Sequence, residues 1–262
     1  DGEKGKEING NVVINYEQNI TDYIASLDFS ENGLEQDDTA DKNIRYVGAS
    51  PKNYITFNNE TWRIIGIFNV YNTETNQNED LVKIVRNEII TNKEYNSDSI
   101  NGWKNASLNK MLNEEYYSNI ITKEIIANVS WNIGNINSSN ISALESYNQE
   151  RIQDIWNGKI GLIYPSDYGY ASIDSECKKM IEHNNSITNC KNNNWLQAFL
   201  SYWTITSSSK NTTNAIRIAS GSGIYNDSVT ANYAGARPTL FLKSTVQILD
   251  GDGSSNNPYV II

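Results

Sequence analysis

Few residues in this chain are suited to making or breaking bonds: one histidine and two cysteines, beside 31 carboxylates, in 262 residues. A Ser/His/Asp or Cys/His engine would have to use His183, yet no nucleophile elbow or orienting partner stands near it, and it reads as a surface histidine. A glycosidase pair needs two carboxylates held ~5 to 10 Å apart in one cleft, and sequence alone does not single out such a pair among so many acids. Cys177 and Cys190 flank a polar stretch with little apolar material to hold it down. A disulfide there would remove roughly 3 kcal/mol of chain entropy from the unfolded state. Zinc on Cys177, His183 and Cys190 is the alternative, but it lacks a fourth ligand and standard spacing. Asp250-Gly251-Asp252-Gly253-Ser254 begins like a calcium loop, but Ser255 stands where the sixth-position glycine belongs and no closing glutamate follows. A hairpin turn explains the same residues. No catalytic residue, metal ligand or cofactor is therefore assigned.

Recognition chemistry is better represented. Aromatic faces stack on sugar C–H groups or peptide side chains while amides, carboxylates and guanidinium groups give directional hydrogen bonds, the make-up of a shallow binding site. Asp167, Tyr168, Tyr170, Arg217, Tyr225, Asn232 and Tyr233 are the candidate contacts, all but Arg217 carried on loops 164–170 and 220–233. Asp167 has a plainer reading as a helix cap or turn residue after Pro165. Trp195 and Trp203, beside Leu196, Phe199 and Leu200, are expected to pack inside. Arg237 is expected to make an ion pair or to cap backbone carbonyls.

These residues need a scaffold. Residues 44–47, 54–57, 62–68 and 81–85 read as strands of a meander, with Asn58-Asn59-Glu60 turning between two of them so that Phe57 and Trp62 approach. The near-continuous apolar run at 62–68 predicts a central strand covered on both faces. Leu108, Met111, Leu112 and Tyr116 fall on one helical face over 107–118, capped at Asn105 or Ser107, and a second, looser stripe covers 142–156. Residues 160–164 return to strand, which 165–167 end. Short strands follow at 202–206, 215–219, 239–243, 246–249 and 259–262, separated by Gly/Ser/Asn/Asp turns. The expected class is α+β: antiparallel twisted sheets with two or more helices and long irregular loops. Residues 1–40 are read as a leader carrying a possible strand at 12–16 and a helix around Tyr23, Ile24 and Leu27. The acidic stretch 31–41 reads as a solvated hinge, and the main domain as 41–262.

A net charge of −10 disfavours nucleic-acid partners, since no Lys/Arg cluster gathers the 21 basic residues. No apolar run approaches the ~20 residues of a membrane span, and Asp1-Gly2-Glu3-Lys4 does not open like a signal peptide.

Several motifs in one order carry a family resemblance: Asn43-Ile44-Arg45-Tyr46-Val47-Gly48-Ala49, Glu60-Thr61-Trp62-Arg63-Ile64-Ile65-Gly66, the stretch 159–170, Asn194-Trp195-Leu196, Trp203-Thr204-Ile205, Ala236-Arg237-Pro238-Thr239-Leu240-Phe241 and the 250–259 turn. Over roughly 41–262 the chain resembles uncharacterised surface and secreted domains of low-GC Gram-positive bacteria. Those are similar to C-type-lectin-like and formylglycine-generating-enzyme-like domains. The resemblance implies an extracellular, cell-surface setting. The catalysis of the latter enzymes depends on reactive cysteines, and both thiols here are expected in a clip, so only the fold carries over. The expected function is a non-catalytic recognition or adhesion domain binding a glycan or a surface protein. Alternatives are a filament or pilus subunit that self-assembles through residues 12–16 and, last, an enzyme.

Overall fold

A computed structural model describes residues 18–152, 154–182, 190–221 and 223–262. The strand expected over 12–16 and the surface position expected for His183 lie outside the described residues. The chain begins with helices α1 (Ile20–Ser26) and α2 (Phe29–Asn32) and strands β1 (Leu34–Gln36), β2 (Ile44–Tyr46), β3 (Tyr54–Phe57), β4 (Glu60–Asn72) and β5 (Gln77–Arg86). The middle holds α3 (Ser107–Lys110), β6 (Val129–Asn132), α4 (Ala143–Glu150), β7 (Ile155–Gly158), β8 (Ile160–Gly161), α5 (Pro165–Tyr170) and α6 (Ser175–Lys179). The last part is β9 (Tyr202–Ser207), β10 (Asn214–Ile218), β11 (Ile224–Ser228), β12 (Thr239–Phe241), β13 (Ile248–Asp250) and β14 (Tyr259–Ile261). This is the expected α+β class.

The large sheet runs β13-β14-β3-β4-β5-β12-β8, with β2 and β6 also joined to β4, and β1 and β7 outside them. All its pairings are antiparallel except β14 on β3. β4 is the spine: residues 62–68 are buried throughout, as their unbroken apolar run predicts, because β5 covers one edge and β3, β2 and β6 divide the other. At its bulge between Ile64 and Gly66 a Cβ on Gly66 would lie 2.0 Å from the Ile44 carbonyl, so only glycine admits β2 there. Asn58 and Asn59 both take positive φ in the two-residue turn, and Phe57 meets Trp62 edge-on at 5.2 Å. A separate three-stranded antiparallel sheet, β11-β10-β9, is built from the turn-rich last third.

Three expectations change. Residues 18–40 are continuous with the main domain: Ile20, Ile24 and Leu34 sit in the same hydrophobic cluster as Trp62 and Tyr259, and the supposed hinge contributes β1 and the buried Asp37. The second helical stripe stops at Glu150, after a Ser142–Glu145 capping box, and Trp156 lies in β7 opposite Trp131. Large aromatics every few residues suit either period, and the cross-strand Trp pair decides for the strand. Pro165 opens α5 at its first position, where its missing N–H is no loss.

Cys177 and Cys190 form the expected disulfide. Replacing both by serine should lower unfolding free energy by about 3 kcal/mol. Urea denaturation measures this, and an unchanged midpoint would show that other contacts hold the segment.

Candidate functional site

Asp167 is the third residue of α5, and its Oδ2 accepts the Tyr164 N–H at 2.9 Å, so the capping reading is right. The same carboxylate does more. Arg45 Nη1 donates to its Oδ1 at 2.8 Å, Lys83 Nζ to its Oδ2 at 2.5 Å, and Arg45 Nε to Asp37 Oδ2 at 2.6 Å. All four side chains are buried. The guanidinium of Arg45 lies 4.7 Å from the ring centres of both Phe68 and Tyr170, and Lys83 Nζ lies 4.2 Å from Tyr164 and 5.4 Å from Phe68 and Trp131. Aromatic faces thus shield cations that cannot reach water.

Burial alone would raise the carboxyls. In Asp167 the charges of Lys83 and Arg45, and in Asp37 that of Arg45 with the Thr39 hydroxyl, hold them below the usual carboxylate range. Burial brings the Lys83 ammonium down to about 8 despite Asp167. Beside this chain Glu150 accepts from Ser146 and from the Ser166 hydroxyl and N–H, and burial raises its carboxyl. Lys83 is among the residues around a cleft of about 330 Å³ that Arg151, Tyr147, Tyr164, Asn43 and Asn132 also line. The two buried aspartates are bridged by Arg45 and do not line this cleft, so they are not placed as an acid–base pair.

A second arrangement is on the surface. Arg217, on β10, is paired across the ladder with Tyr225 on β11, so both side chains leave the same face. Arg217 Nε donates to Asp227 Oδ2 at 2.8 Å and Nη1 to Ser201 Oγ at 2.8 Å. Its guanidinium lies 4.9 Å from the Tyr225 ring centre and 5.4 Å from that of Tyr233, whose hydroxyl also donates to Asp227. Tyr225 is 43% and Tyr233 57% exposed. Ser201 joins this group to its own neighbours, Phe199 at 98% and Leu200 at 52% exposed. Asn232 is exposed next to Tyr233.

The seven expected contact residues therefore divide. Arg217, Tyr225, Asn232 and Tyr233 come together at the surface. Asp167, Tyr168 and Tyr170 do not, because residues 165–170 form a buried helix instead of a loop. Tyr168 donates to Gln197 and accepts from the Gly223 N–H, and Tyr170 donates to Asp38. Trp195 and Trp203 are buried as expected, and Arg237 caps the Arg86 carbonyl at 2.8 Å without an ion pair among the described residues. Asp250 and Asp252 accept backbone N–H groups of their own turn, from Gly251 and Ser254. The sequence reading missed Asp37, Arg45 and Lys83. A signal was present: Arg45 and Lys83 each interrupt an apolar strand. Phe199 and Leu200, apolar neighbours of the buried tryptophans in sequence, are exposed.

No family model matches this chain, and no curated protein or solved structure matches it either.

Asp167→Asn leaves Arg45 and Lys83 short of their shared counter-ion, and should lower stability by about 3–5 kcal/mol in urea unfolding. Because Asp37 and Asp167 titrate lower in the folded than in the unfolded chain, their contribution is complete above the ordinary value of 3.8 and is lost as pH falls through the folded values. Wild-type stability should thus fall on acidification below that value with a steeper slope than that of Asp167→Asn. Equal slopes would contradict the assignment.

Proposed function

We propose that this chain is a non-catalytic recognition domain, working at a bacterial cell surface, that grips a protein partner through the face formed by Arg217, Tyr225, Tyr233, Phe199 and Leu200. One observation carries the reading: a guanidinium fixed by Asp227 and Ser201 between two exposed tyrosine rings, with the exposed Phe199 and Leu200 just before Ser201 in the chain. Tyr and Arg dominate the energetic centres of protein interfaces, and holding them in place before contact reduces the entropy lost on binding. Leu200 favours a protein over a glycan, since it is apolar and has no ring on which a sugar can stack. The extracellular setting is supported by the disulfide and by the family resemblance, to which the C-type-lectin-like likeness also belongs. No described helix is long and apolar enough to cross a membrane.

An enzyme reading has one observation in its favour, the Lys83 amine lowered to about 8 beside a cleft. Against it, the side chain has no exposed surface and is held by Asp167 at 2.5 Å.

Binding of the purified chain to arrays of surface proteins and glycans tests the proposal. Protein targets are expected, with Tyr225→Ala and Tyr233→Ala each weakening the best of them about 30-fold or more at unchanged thermal stability. Glycan targets alone, or protein binding indifferent to both substitutions, would overturn it.

A further inference from the structure

Asp37, Arg45, Lys83, Glu150 and Asp167 are buried, and each has an ion-pair partner. Arg63 and Arg237 are as deeply buried, at 6% and 4% exposure, and neither pairs with a carboxylate among the described residues. Arg63 spends one donor on Asn53 Oδ1, at 2.5 Å, and its Nη2 is buried without any partner. Arg237 uses Nε on the Arg86 carbonyl. In a chain of net charge −10, where acids are abundant, neither guanidinium has one among the described residues.

The two are neighbours by construction. Arg63 on β4 is paired with Val85 on β5, and Val85 with Thr239 on β12, so these three side chains share one face of the sheet. Arg237 lies two residues before Thr239, on the connection into β12, where its Nε reaches the Arg86 carbonyl next to Val85 and its charge acts on Arg63. Burial, joined by the like charge of Arg237 and opposed by Tyr54, brings the Arg63 guanidinium down to about 10. The walls are aromatic: Tyr54 lies 3.8 Å and Trp195 4.8 Å from the Arg63 guanidinium, and Tyr202 lies 5.2 Å from that of Arg237. Ring faces offset part of a buried positive charge, but they do not accept from Nη2 in its plane, and they do not separate two like charges. A planar fork matches the oxygens of a carboxylate, sulfate or phosphate, and Arg63 Nη2 is a donor with nothing to meet inside the fold.

We propose that Arg63 and Arg237 together form a receptor for a single oxyanion group, free or carried on a ligand, that enters beside Tyr54 and Trp195. The site is separate from the Arg217 face, and either assignment can fail alone.

The test is thermal unfolding of the full chain titrated with inorganic phosphate, sulfate or acetate against sodium chloride at matched ionic strength. A saturable rise in Tm of roughly 3–6 °C over chloride is expected for at least one oxyanion, with the preferred anion distinguishing phosphate or sulfate from carboxylate chemistry. Arg63→Met and Arg237→Met keep most of the volume and remove the charge. Each should abolish that rise while leaving stability in chloride unchanged or higher. In case a variant does not fold, the arginine Nε–H resonances of the wild-type chain, which should shift for Arg63 and Arg237 on the same titration, give the independent readout. A rise that never saturates or survives both substitutions is general salt stabilisation. That outcome, or resonances that stay still, would overturn the proposal.

Discussion

A carboxylate with almost no contact with water cannot stay ionised unless cations stand against it, and Asp167 has two, Arg45 and Lys83, with Arg45 passing the charge on to Asp37. The chain of four charges gathers segments remote in sequence: the connection before β2, β2 itself, the centre of β5 and the start of α5. Its value lies less in net stability, since an apolar replacement of equal shape can match a buried ion pair, than in the register it imposes. Slipping β5 by one residue would turn Lys83 away from Asp167, leaving the ammonium unpaired and Arg45 alone against two carboxylates. The rings of Phe68, Tyr164 and Tyr170 then close over the cations, so the aromatic content of the core serves the polar centre as much as the apolar one.

This arrangement explains why residues 164–170 are not a binding loop. Helix α5 is committed inward by Asp167, and with it Tyr168 and Tyr170, whose hydroxyls are engaged by Gln197, Gly223 and Asp38. The small sheet carries no such obligation on its outer side. Along β10, Ala215, Ile216 and Ile218 face inward, and Arg217 emerges opposite Tyr225. A long cationic side chain on a surface strand would ordinarily sample many rotamers. Here Asp227, Ser201 and two rings fix it, so the face is ordered before any partner arrives.

Elements set by local rules were legible in the sequence. The Asn58-Asn59 turn, the doubly covered run at 62–68, the disulfide and the final hairpin between β13 and β14 follow from turn chemistry, apolar continuity and cysteine spacing. Tyr225, Asn232 and Tyr233 were legible as exposed residues because turn-rich sequence leaves them no core to enter. The polar centre was not, because Asp37 and Asp167 lie 130 residues apart and look like any other acids until the fold brings Arg45 between them. Asp37 in particular sits in an acidic stretch whose composition suggests solvent. The failure at Tyr168 and Tyr170 has the same origin: aromatic residues around a proline read as a decorated loop unless the helix-starting role of Pro165 is given priority.

The arginines themselves order these features. Arg45 is paired with two carboxylates and stacked by two rings, so that although its Nη2 also lacks a hydrogen-bond partner, its charge is answered inside the fold. Arg217 has one carboxylate and two exposed rings, which fix its geometry yet leave a face that a partner can cover. Arg63 and Arg237 have rings and backbone or amide oxygens, with no carboxylate among the described residues. A guanidinium removed from water and denied a counter-ion is an expense that folding alone does not reward, because a methionine of similar volume would fill the same space without it. The retained charge therefore points outside the fold for its explanation, and the chemistry that answers two adjacent guanidinium groups is an anion.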